Sequence, residues 1–310
     1  RSFRGAKVDA LISSGKSSAY IRAEVEQQGR LSLVEIELTT QGRSKAQINK
    51  QKVKRFRDLG DTVRVVVFSP DDLELIKGAP TIRRALLDDT ISIANPEFRA
   101  VRTNFDHILR QRNNLLKQAK GRMTSSLETN LNIWNEQLVE AAQLIGDSRE
   151  AFIARFEPLV SDYYQHVAGR EDVISLQLDA DWRAEGLSEA LLRAQNDELR
   201  RGMTLVGPHR DDLTIVLRAL HSRSHASQGE QRSLALALRL ATYCYIQEVS
   251  GDQPLILLDD VFSELDESRA RLLVECLPEA QIILTSATGT VPAGVNPSQT
   301  LNIVEDQIHE

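Results

Sequence analysis

The segment QPLILLDDVFSELDESRARLLVECLPEAQIILTSAT, residues 253–288, decides the fold class. Residues 255–258 are consecutive apolar residues, which is typical of a strand buried on both faces of a parallel sheet. Residues 267–277 have a helical period, and residues 281–284 predict a second buried strand. A strand, a helix and a strand within about thirty residues predict a parallel βαβ unit.

Two carboxylates, Asp259 and Asp260, follow directly after the first of these strands. Ligands of open α/β sheets bind beyond the carboxyl ends of the strands. One of the two is therefore placed to hold Mg²⁺, and the other to position or polarise an attacking water. An apolar run followed by two acids is the Walker B pattern of ATPases. A pair of capping or surface acids is the alternative, which this pattern disfavours.

A second motif, SQGEQR at residues 227–232, precedes an apolar helical stretch. Ser227 and Glu230 have the S-x-x-E spacing of a capping box, which marks a helix N-terminus. Gly229 leaves the first turn without a side chain, so that an anion could approach the N–H groups closely. A well-capped buried helix is the alternative for the motif alone. This turn, an apolar helix, the two acids and then SELD at 263–266 follow the order of ABC-type ATPase heads.

Short apolar runs broken by polar turns predict a strand-rich start to the chain. Residues 19–67 alternate in this way, which is typical of strands joined by hairpins. VDALI at 8–12 is a further candidate strand. Near the other end, MTLV at 203–206 and LTIVL at 213–217 predict strands on either side of the loop GPHRDD.

A helical region fills the middle of the chain. Residues 81–201 place apolar side chains at spacings of three or four, and one alternating piece at 174–178 interrupts them as a candidate strand. We therefore predict an α/β fold with a helical second domain inserted into the head. The predicted boundaries are residues 1–80 and 203–310 for the head and residues 81–202 for the helical domain.

Composition bounds the class of protein. The chain has 310 residues, of which 41% are hydrophobic and 26% charged, and it contains no apolar run long enough to cross a membrane. A net charge of −6 argues against a surface that binds nucleic acid everywhere, but it leaves room for a local basic patch. Cys244 and Cys276 lie in apolar stretches and predict reduced thiols in a cytoplasmic protein.

Two basic clusters that are nearly free of acids are candidates for contacts with the DNA backbone. The first contains Arg43, Lys45, Lys50, Lys52, Lys54, Arg55 and Arg57, and the second contains Arg110, Arg112, Lys117, Lys120 and Arg122. Few aromatic residues are interleaved, which disfavours base stacking. A solvated charged face is the alternative for each cluster.

The stretch LISSGKSSAY at 11–20 contains the letters Gly-Lys-Ser, the end of the phosphate-binding loop G-x-x-x-x-G-K-[ST]. The first glycine of that pattern would fall at position 10, which is Ala10. After Lys16 the alternation predicts a strand, where a phosphate-binding loop needs a helix. We therefore predict a turn here and not a nucleotide site.

Five blocks of the sequence together resemble the RecF family of ABC-type ATPases. They are SPDDLELIKGAPTIRRALLD (69–88), RQRNNLLK (110–117), LVGPHRDDL (205–213), ASQGEQRSLALALRLA (226–241) and LILLDDVFSELD (255–266). The resemblance implies a P-loop NTPase head of the SMC/Rad50/RecF type, ATP and Mg²⁺ as ligands, and ATP-dependent homodimerisation. It also implies binding to gapped or single-strand/double-strand junction DNA, and work with RecR and RecO in loading RecA during recombinational repair, replication restart and the SOS response.

The resemblance also assigns roles by position. A signature motif would cap the γ-phosphate of ATP held by a second subunit, and it comprises Ser227, Gln228, Gly229, Glu230 and Gln231. Asp259 would be the metal-side acid and Asp260 the catalytic acid, while Ser263 and Asp266 would lie in the loop that faces the other subunit.

Two further blocks receive weaker assignments from the resemblance. Ser69 and Asp71 lie where such heads couple the nucleotide to the inserted domain. His209, Arg210 and Asp211 match a family block whose chemistry the sequence does not indicate.

The main departure from the family lies at the N-terminus. Family members begin with a strand, a G-x-N-G-x-G-K-T-type loop and a helix, and here the family's text resumes at RSFRG. We expect the loop upstream of Arg1, a weak DNA-stimulated ATPase at full length, and no activity from the chain as given.

A RecF-type ATPase has two alternatives. A Rad50- or SMC-type head needs two long heptad arms, for which the roughly 120 residues of the helical middle are too few. A non-enzymatic DNA- or protein-binding fragment of such a head is the alternative from a different class.

Overall fold

The computed structural model describes residues 5–27, 29–287, 289, 291–304 and 307–309, without the side chains of Arg57, Glu264, Gln307 and His309. Its strands are β1 Ser18–Gln27, β2 Arg30–Thr39, β3 Lys45–Ile48, β4 Gln51–Lys52, β5 Val65–Phe68, β6 Ile174–Asp179, β7 Asp212–Leu217, β8 Leu220–His221, β9 Leu255–Asp259, β10 Ile282–Thr285, β11 Asn302–Val304 and β12 Gln307–His309. Its α-helices are α1 Glu74–Lys77, α2 Pro80–Ala94, α3 Pro96–Ala119, α4 Ser125–Ala168, α5 Trp182–Glu185, α6 Leu187–Arg201, α7 Ser222–His225, α8 Gln228–Ser250 and α9 Glu267–Cys276.

The start of the chain forms an antiparallel sheet in the order β1-β2-β3-β4, which confirms the predicted hairpins. The β3–β4 turn is made by Asn49 and Lys50, whose φ angles of 50° and 66° give the hairpin its twist. The candidate strand at 8–12 was wrong: Val8–Leu11 is a 3₁₀ helix. Gly15, with φ of 76°, lies in a turn ahead of β1, as predicted for the Gly-Lys-Ser stretch.

A parallel sheet in the order β10-β9-β5 joins the two ends of the chain. The predicted βαβ unit is confirmed as β9, α9 and β10. Val66 of β5 pairs with Ile256 of β9, so the strand-rich start and the end of the chain share one sheet.

Only one face of this sheet is buried, which corrects the prediction of burial on both faces. The buried face packs against α8 and carries Val66, Phe68, Ile256 and Leu258, whereas Val65, Val67, Leu255 and Leu257 on the other face are half-buried and Ile283 is 49% exposed. Successive side chains of a strand point to opposite faces, and among the described residues the side chains that pack with α8 are the fully buried ones.

The predicted helical region is confirmed as α2, α3, α4 and α6, interrupted by β6. Its core does not stop at the predicted boundary, since Phe156 of α4, Leu213 of β7 and Leu238 of α8 belong to the same buried cluster. The division into domains therefore stays a prediction. Within the described ranges, no helix has the length and apolar character needed to cross a bilayer.

A second antiparallel sheet has the order β6-β7-β8, which confirms the strands predicted at 174–178 and 213–217. The strand predicted at 203–206 was wrong, because side chains satisfy its backbone. The N–H of Thr204 donates to Asn113 Oδ1 at 2.7 Å, and the N–H of Leu205 donates to Glu198 Oε1 at 2.8 Å.

Candidate functional site

The first turn of α8 is closed by the predicted capping box. Ser227 Oγ accepts a hydrogen bond from the Glu230 N–H at 3.3 Å, and the Glu230 carboxylate accepts one from the Ser227 N–H at 2.6 Å. Gln231 is buried, and its amide donates to the carbonyls of Ser222 and Arg223 at 3.2 and 3.3 Å. Ser227 and Gln228 are exposed. The buried Gln231 therefore anchors the turn to the protein, while Ser227 and Gln228 face solvent.

Glu230 is held between two arginines from distant parts of the chain. Arg170, which follows α4, and Arg218, in the β7–β8 turn, each place Nη2 2.5 Å from Glu230 Oε1. Asp172 accepts from Arg170 Nε at 2.9 Å and lies 3.7 Å from Arg218 Nη1. Burial by itself would raise the pKa of Glu230, but the Ser227 N–H and hydroxyl and the two guanidiniums hold that pKa at about 2. The Glu230 carboxylate is therefore ionised, and its charge is neutralised by the two guanidiniums. For this reason it does not prevent an anion from binding at this turn.

The loop after β9 reaches the same turn through α9. Asp266 caps α9, since its Oδ1 accepts from the Arg269 N–H at 3.0 Å and from Ser268 Oγ at 2.5 Å. The Ser268 hydroxyl is the main reason that the pKa of Asp266 is lowered to about 2. Arg269 also pairs with Asp266 through its guanidinium, which lies directly over Gly229. The space above Gly229, predicted to be open to an anion, is therefore occupied by a guanidinium.

Both predicted acids lie at the carboxyl end of β9. Asp259 is 8% exposed, and its Oδ1 accepts from Thr285 Oγ1 of β10 at 2.9 Å. Asp260 adopts a left-handed φ of 53°, its N–H donates to the Thr285 carbonyl at 3.2 Å, and its carbonyl accepts from Ser263 Oγ at 2.8 Å. Aspartate tolerates this conformation better than most residues. The left-handed residue turns the chain sharply away from the strand.

The acids at the end of β9 fit a Mg²⁺ site in which phosphate and water supply most of the ligands. They do not form a site in which protein side chains supply all of them. Asp259 offers one carboxylate beside a hydroxyl, and Mg²⁺ takes one or two protein carboxylates while keeping several waters. Across the part of the chain that the structure describes, no group of three or more His, Cys, Asp or Glu side chains could hold a metal ion by itself. The metal role of Asp259 and the catalytic role of Asp260 stay predictions.

The segment after β5 completes this end of the sheet. Ser69 caps a 3₁₀ helix with Asp72, whose other carboxylate oxygen accepts from Arg239 of α8 at 2.6 and 3.0 Å. A small cleft is lined by Ser69, Arg232 of α8 and Val261 after β9. Asp71, the predicted residue, is exposed, whereas Asp72 carries the contact. The S-x-x-D spacing from Ser69 could have indicated it.

Comparison with known proteins places the chain in a family. The family model for the RecF/RecN/SMC N-terminal domain matches residues 1–308. The "DNA replication and repair protein RecF" of Acidothermus cellulolyticus is 34% identical over 100% of this chain and 86% of the relative. The protein of the same name from Streptomyces avermitilis is 38% identical over 92% of this chain and 80% of the relative. This chain belongs to the RecF family.

Solved structures agree with this RecF assignment. Two structures of "the recombination mediator protein RecF" in the RecFOR pathway, described as RecF-ATP and RecF-ATPrS, superpose with a TM-score of 0.87 each. They are 27% and 26% identical to this chain, cover 100% and 99% of it, and are themselves covered to 84%. The predicted α/β ABC-type ATPase fold is therefore confirmed.

The first basic cluster of this RecF-family chain is solvent-facing. Lys50, Lys52, Lys54 and Arg55 are exposed on and after the β3–β4 hairpin, and Arg57 belongs to the side chains outside the description. An exposed hairpin can approach a phosphate backbone without rearrangement. DNA binding by these residues stays a prediction.

In the second basic cluster, Arg112 is buried and cannot reach DNA. Arg110 and Lys117 are exposed, but Arg112 is 2% exposed and its Nη2 lies 2.6 Å from the fully buried Glu198. The other guanidinium nitrogens of Arg112 donate to Thr204 Oγ1 at 2.8 Å and to Asn135 Oδ1 at 2.7 Å. The predicted DNA contact by Arg112 was wrong, because this side chain holds α3 to α6.

The GPHRDD block gains a structural explanation. Arg149 of α4 donates to Asp211 Oδ2 at 2.8 Å and to both carboxylate oxygens of Asp88 at 2.9 Å. Trp182 Nε1 donates to Asp211 Oδ1 at 2.8 Å. Burial raises the pKa of Asp211, which Arg149 opposes. This buried network ties the start of β7 to α2, α4 and α5.

His209 and Asp212 extend the same network. His209 Nε2 lies 3.1 Å from the Thr204 carbonyl, and Nδ1 is buried without a hydrogen-bond partner among the described residues. Burial lowers the pKa of His209 to about 4. Asp212 forms a two-pronged pair with Arg83 at 2.8 Å, while Arg210 is exposed. The block therefore contributes to packing, and the exposed Arg210 is its solvent-facing member.

Proposed function

We propose that this chain is the head of a DNA-repair ATPase that uses ATP as a switch. Two copies close around ATP, the closed dimer holds gapped or single-strand/double-strand junction DNA, and hydrolysis reopens it. RecR and RecO are the proposed partners in loading RecA, in the cytoplasm. The RecF names of the relatives, which include DNA replication and repair, support this assignment.

One observation carries the proposal. The first turn of α8 and the start of α9 meet at Gly229 and Arg269, and both elements present an exposed polar residue there, Ser227 and Asp266. An exposed helix N-terminus with free first-turn N–H groups attracts phosphate. Its contact with the loop that follows the two acids supports a surface that a second copy would face.

Individual residues have defined tasks in this proposal. The Ser227 hydroxyl and the first-turn N–H groups of α8 bind the γ-phosphate that the second copy holds. Asp259 is the candidate ligand of Mg²⁺, which would neutralise phosphate charge when bound. The Asp260 carboxylate orients a water for attack and accepts its proton.

A triphosphate also needs a loop whose N–H groups and lysine surround the phosphates. The Gly-Lys-Ser stretch is a turn followed by β1 and does not support that role. We propose weak, DNA-stimulated ATPase activity. Non-enzymatic binding of DNA or protein is the second candidate function, and the exposed lysines of the β3–β4 hairpin favour it.

The test substitutes Ser227 in the protein expressed from its full reading frame. Ser227→Arg places a long side chain where the partner's phosphate would lie, so we expect ATP-driven dimerisation to be abolished while monomeric ATP binding remains. Ser224→Arg is the matched control, since Ser224 is an exposed serine of the neighbouring helix α7. Light scattering with and without ATP gives the mass. Dimerisation that Ser227→Arg leaves unchanged refutes the proposed role.

A further inference from the structure

Position 229 requires a glycine because of the space that Arg269 occupies, and not because of its backbone conformation. It lies within the first turn of α8, and its φ is not in the left-handed region that favours glycine. A Cβ built on Gly229 would lie 2.6 Å from Arg269 Nη2, 3.0 Å from Cζ and 3.1 Å from Nη1. The guanidinium therefore fills the space that a side chain at position 229 would need. A side chain at 229 would displace it.

Asp266 fixes the orientation of the Arg269 side chain. The Asp266 carboxylate accepts from the Arg269 backbone N–H at 3.0 Å and also pairs with its Nη1, so one residue fixes both ends of the arginine. The Arg269 side chain is nevertheless 34% exposed and the Asp266 side chain 48% exposed. The guanidinium thus has a defined position and is partly exposed to solvent.

The ionised side chains around this turn are paired with one another. Arg170 and Arg218 offset Glu230 and Asp172, and Arg269 pairs with Asp266. The attraction for an anion therefore comes from the partially positive first-turn N–H groups and from the N–H groups of Arg269 that point to solvent. A guanidinium is charged at any physiological pH, and its fork of N–H groups matches phosphate oxygens two at a time.

We propose that Arg269 is a second phosphate-binding group of the Ser227 turn, held over Gly229 by Asp266 so that its partly exposed guanidinium contacts the terminal phosphate presented by the other copy. This inference rests on the proposed function, since it requires that a nucleotide be shared between two copies. It adds a residue of α9 to a site otherwise built from the first turn of α8.

Arg269→Ala and Arg269→Lys test the proposal in the protein expressed from its full reading frame. We expect Arg269→Ala to weaken ATP-dependent dimerisation at least about tenfold, as loss of a charge-assisted contact implies. Arg269→Lys should recover part of the loss because it keeps the charge without the fork. Arg271→Ala is the matched control, because Arg271 is two residues further along α9, 70% exposed and 3.8 Å from Glu275.

Two readouts separate phosphate binding from a structural role. Arg269→Ala should leave the Tm and ATP binding to the monomer unchanged while dimerisation in ATP falls toward the level in ADP. Gly229→Ala, which pushes the guanidinium aside, should give the same loss, and the double variant should lose no more than either single one. Additive losses, or a fall in Tm parallel to the loss of dimerisation, would overturn the proposal.

Ser227→Arg serves as the reference in the same series. If Ser227→Arg abolishes dimerisation and Arg269→Ala matches the wild type, the role of Arg269 is wrong and the shared nucleotide stands. If neither variant changes dimerisation, the shared nucleotide itself is wrong. Sedimentation velocity across a concentration series in ATP and in ADP measures each dissociation constant.

Discussion

Arg170 Nη2 lies 2.5 Å from Glu230 Oε1, which joins the segment just beyond the long helix α4 to the first turn of α8 across 60 positions of the chain. Arg218 reaches the same oxygen from the β7–β8 turn. The Ser227 turn is therefore held by the helical middle of the chain and by the second antiparallel sheet together. A displacement of either element would move the turn.

Loss of both arginines should impair the Ser227 turn more than loss of one. In Arg170→Ala or Arg218→Ala, the remaining guanidinium still offsets Glu230, whereas the double variant leaves a bare carboxylate beside the proposed phosphate. We expect the double variant to weaken ATP-dependent dimerisation at least about tenfold by charge repulsion, and each single one to have a smaller effect. Arg193→Ala, a 70% exposed arginine of α6, is the control for sedimentation. Equal values for double variant and wild type would contradict the electrostatic role.

Arg149 should be critical for folding rather than for binding. Arg149→Ala leaves Asp88 and Asp211 without their shared cation, and Asp211 is only 1% exposed at its side chain. Breaking a buried pair on one side costs about 3–5 kcal/mol of the free energy of unfolding. Arg200→Ala, whose pair with Asp197 is exposed, should cost less than about 0.5 kcal/mol. Urea denaturation measures both, and a similar small loss in the two variants would show that the buried pair is dispensable.

His209 predicts a pH dependence of stability. Its pKa is lowered from 6.5 to about 4 in the folded chain, so the unfolded state binds more protons between these values. Stability should therefore fall as the pH decreases through 6.5, by about 2 kcal/mol by pH 5. In His209→Gln this part of the slope should disappear. Urea midpoints measured from pH 7.5 to 5 test it, and parallel profiles for the two proteins would refute it.

The exposed hairpin lysines should determine part of the salt dependence of DNA binding. Each phosphate contact contributes about 0.9 to the slope of log K against log salt on duplex DNA. The double variant Lys52→Ala, Lys54→Ala should therefore lower the slope by up to about 2, whatever the DNA sequence. Arg22→Ala is the control, because Arg22 is 73% exposed on the same sheet but pairs with Glu35 at 2.8 Å. Fluorescence anisotropy with a gapped duplex at several salt concentrations measures the slopes, and an unchanged slope would remove the hairpin from the DNA surface.

The sequence did not predict the ion pair between Arg112 and Glu198. Proximity in the chain places Arg112 in a cluster of basic residues, yet it shares the buried face of α3 with Phe105, Ile108 and Leu116. That helical spacing was available in the sequence and indicated burial. Its partner Glu198 lies 86 positions away, so only the fold could name what neutralises it.

Asp72 and Asp211 are buried acids whose partners, like the partner of Arg112, lie far away in the sequence. The S-x-x-D spacing indicated that Asp72 caps the segment after β5, but its contact with Arg239 spans 167 positions. Asp211 stood in a recognisable block without a visible role, since Arg149 and Trp182 come from other helices. Short-range capping could be predicted, whereas ion pairs between elements could not.

The order of local signals predicted the ABC-type ATPase head: an apolar strand followed by two acids, and a capped turn followed by an apolar helix. These features depend on residues a few positions apart, whose backbone preferences and hydrogen bonds are decided locally. The tertiary structure alone decided which partners neutralise the buried charges, which arginines surround Glu230, and that a guanidinium from α9 lies over Gly229. Such contacts join residues tens of positions apart, and the packing of whole helices and sheets sets their distances.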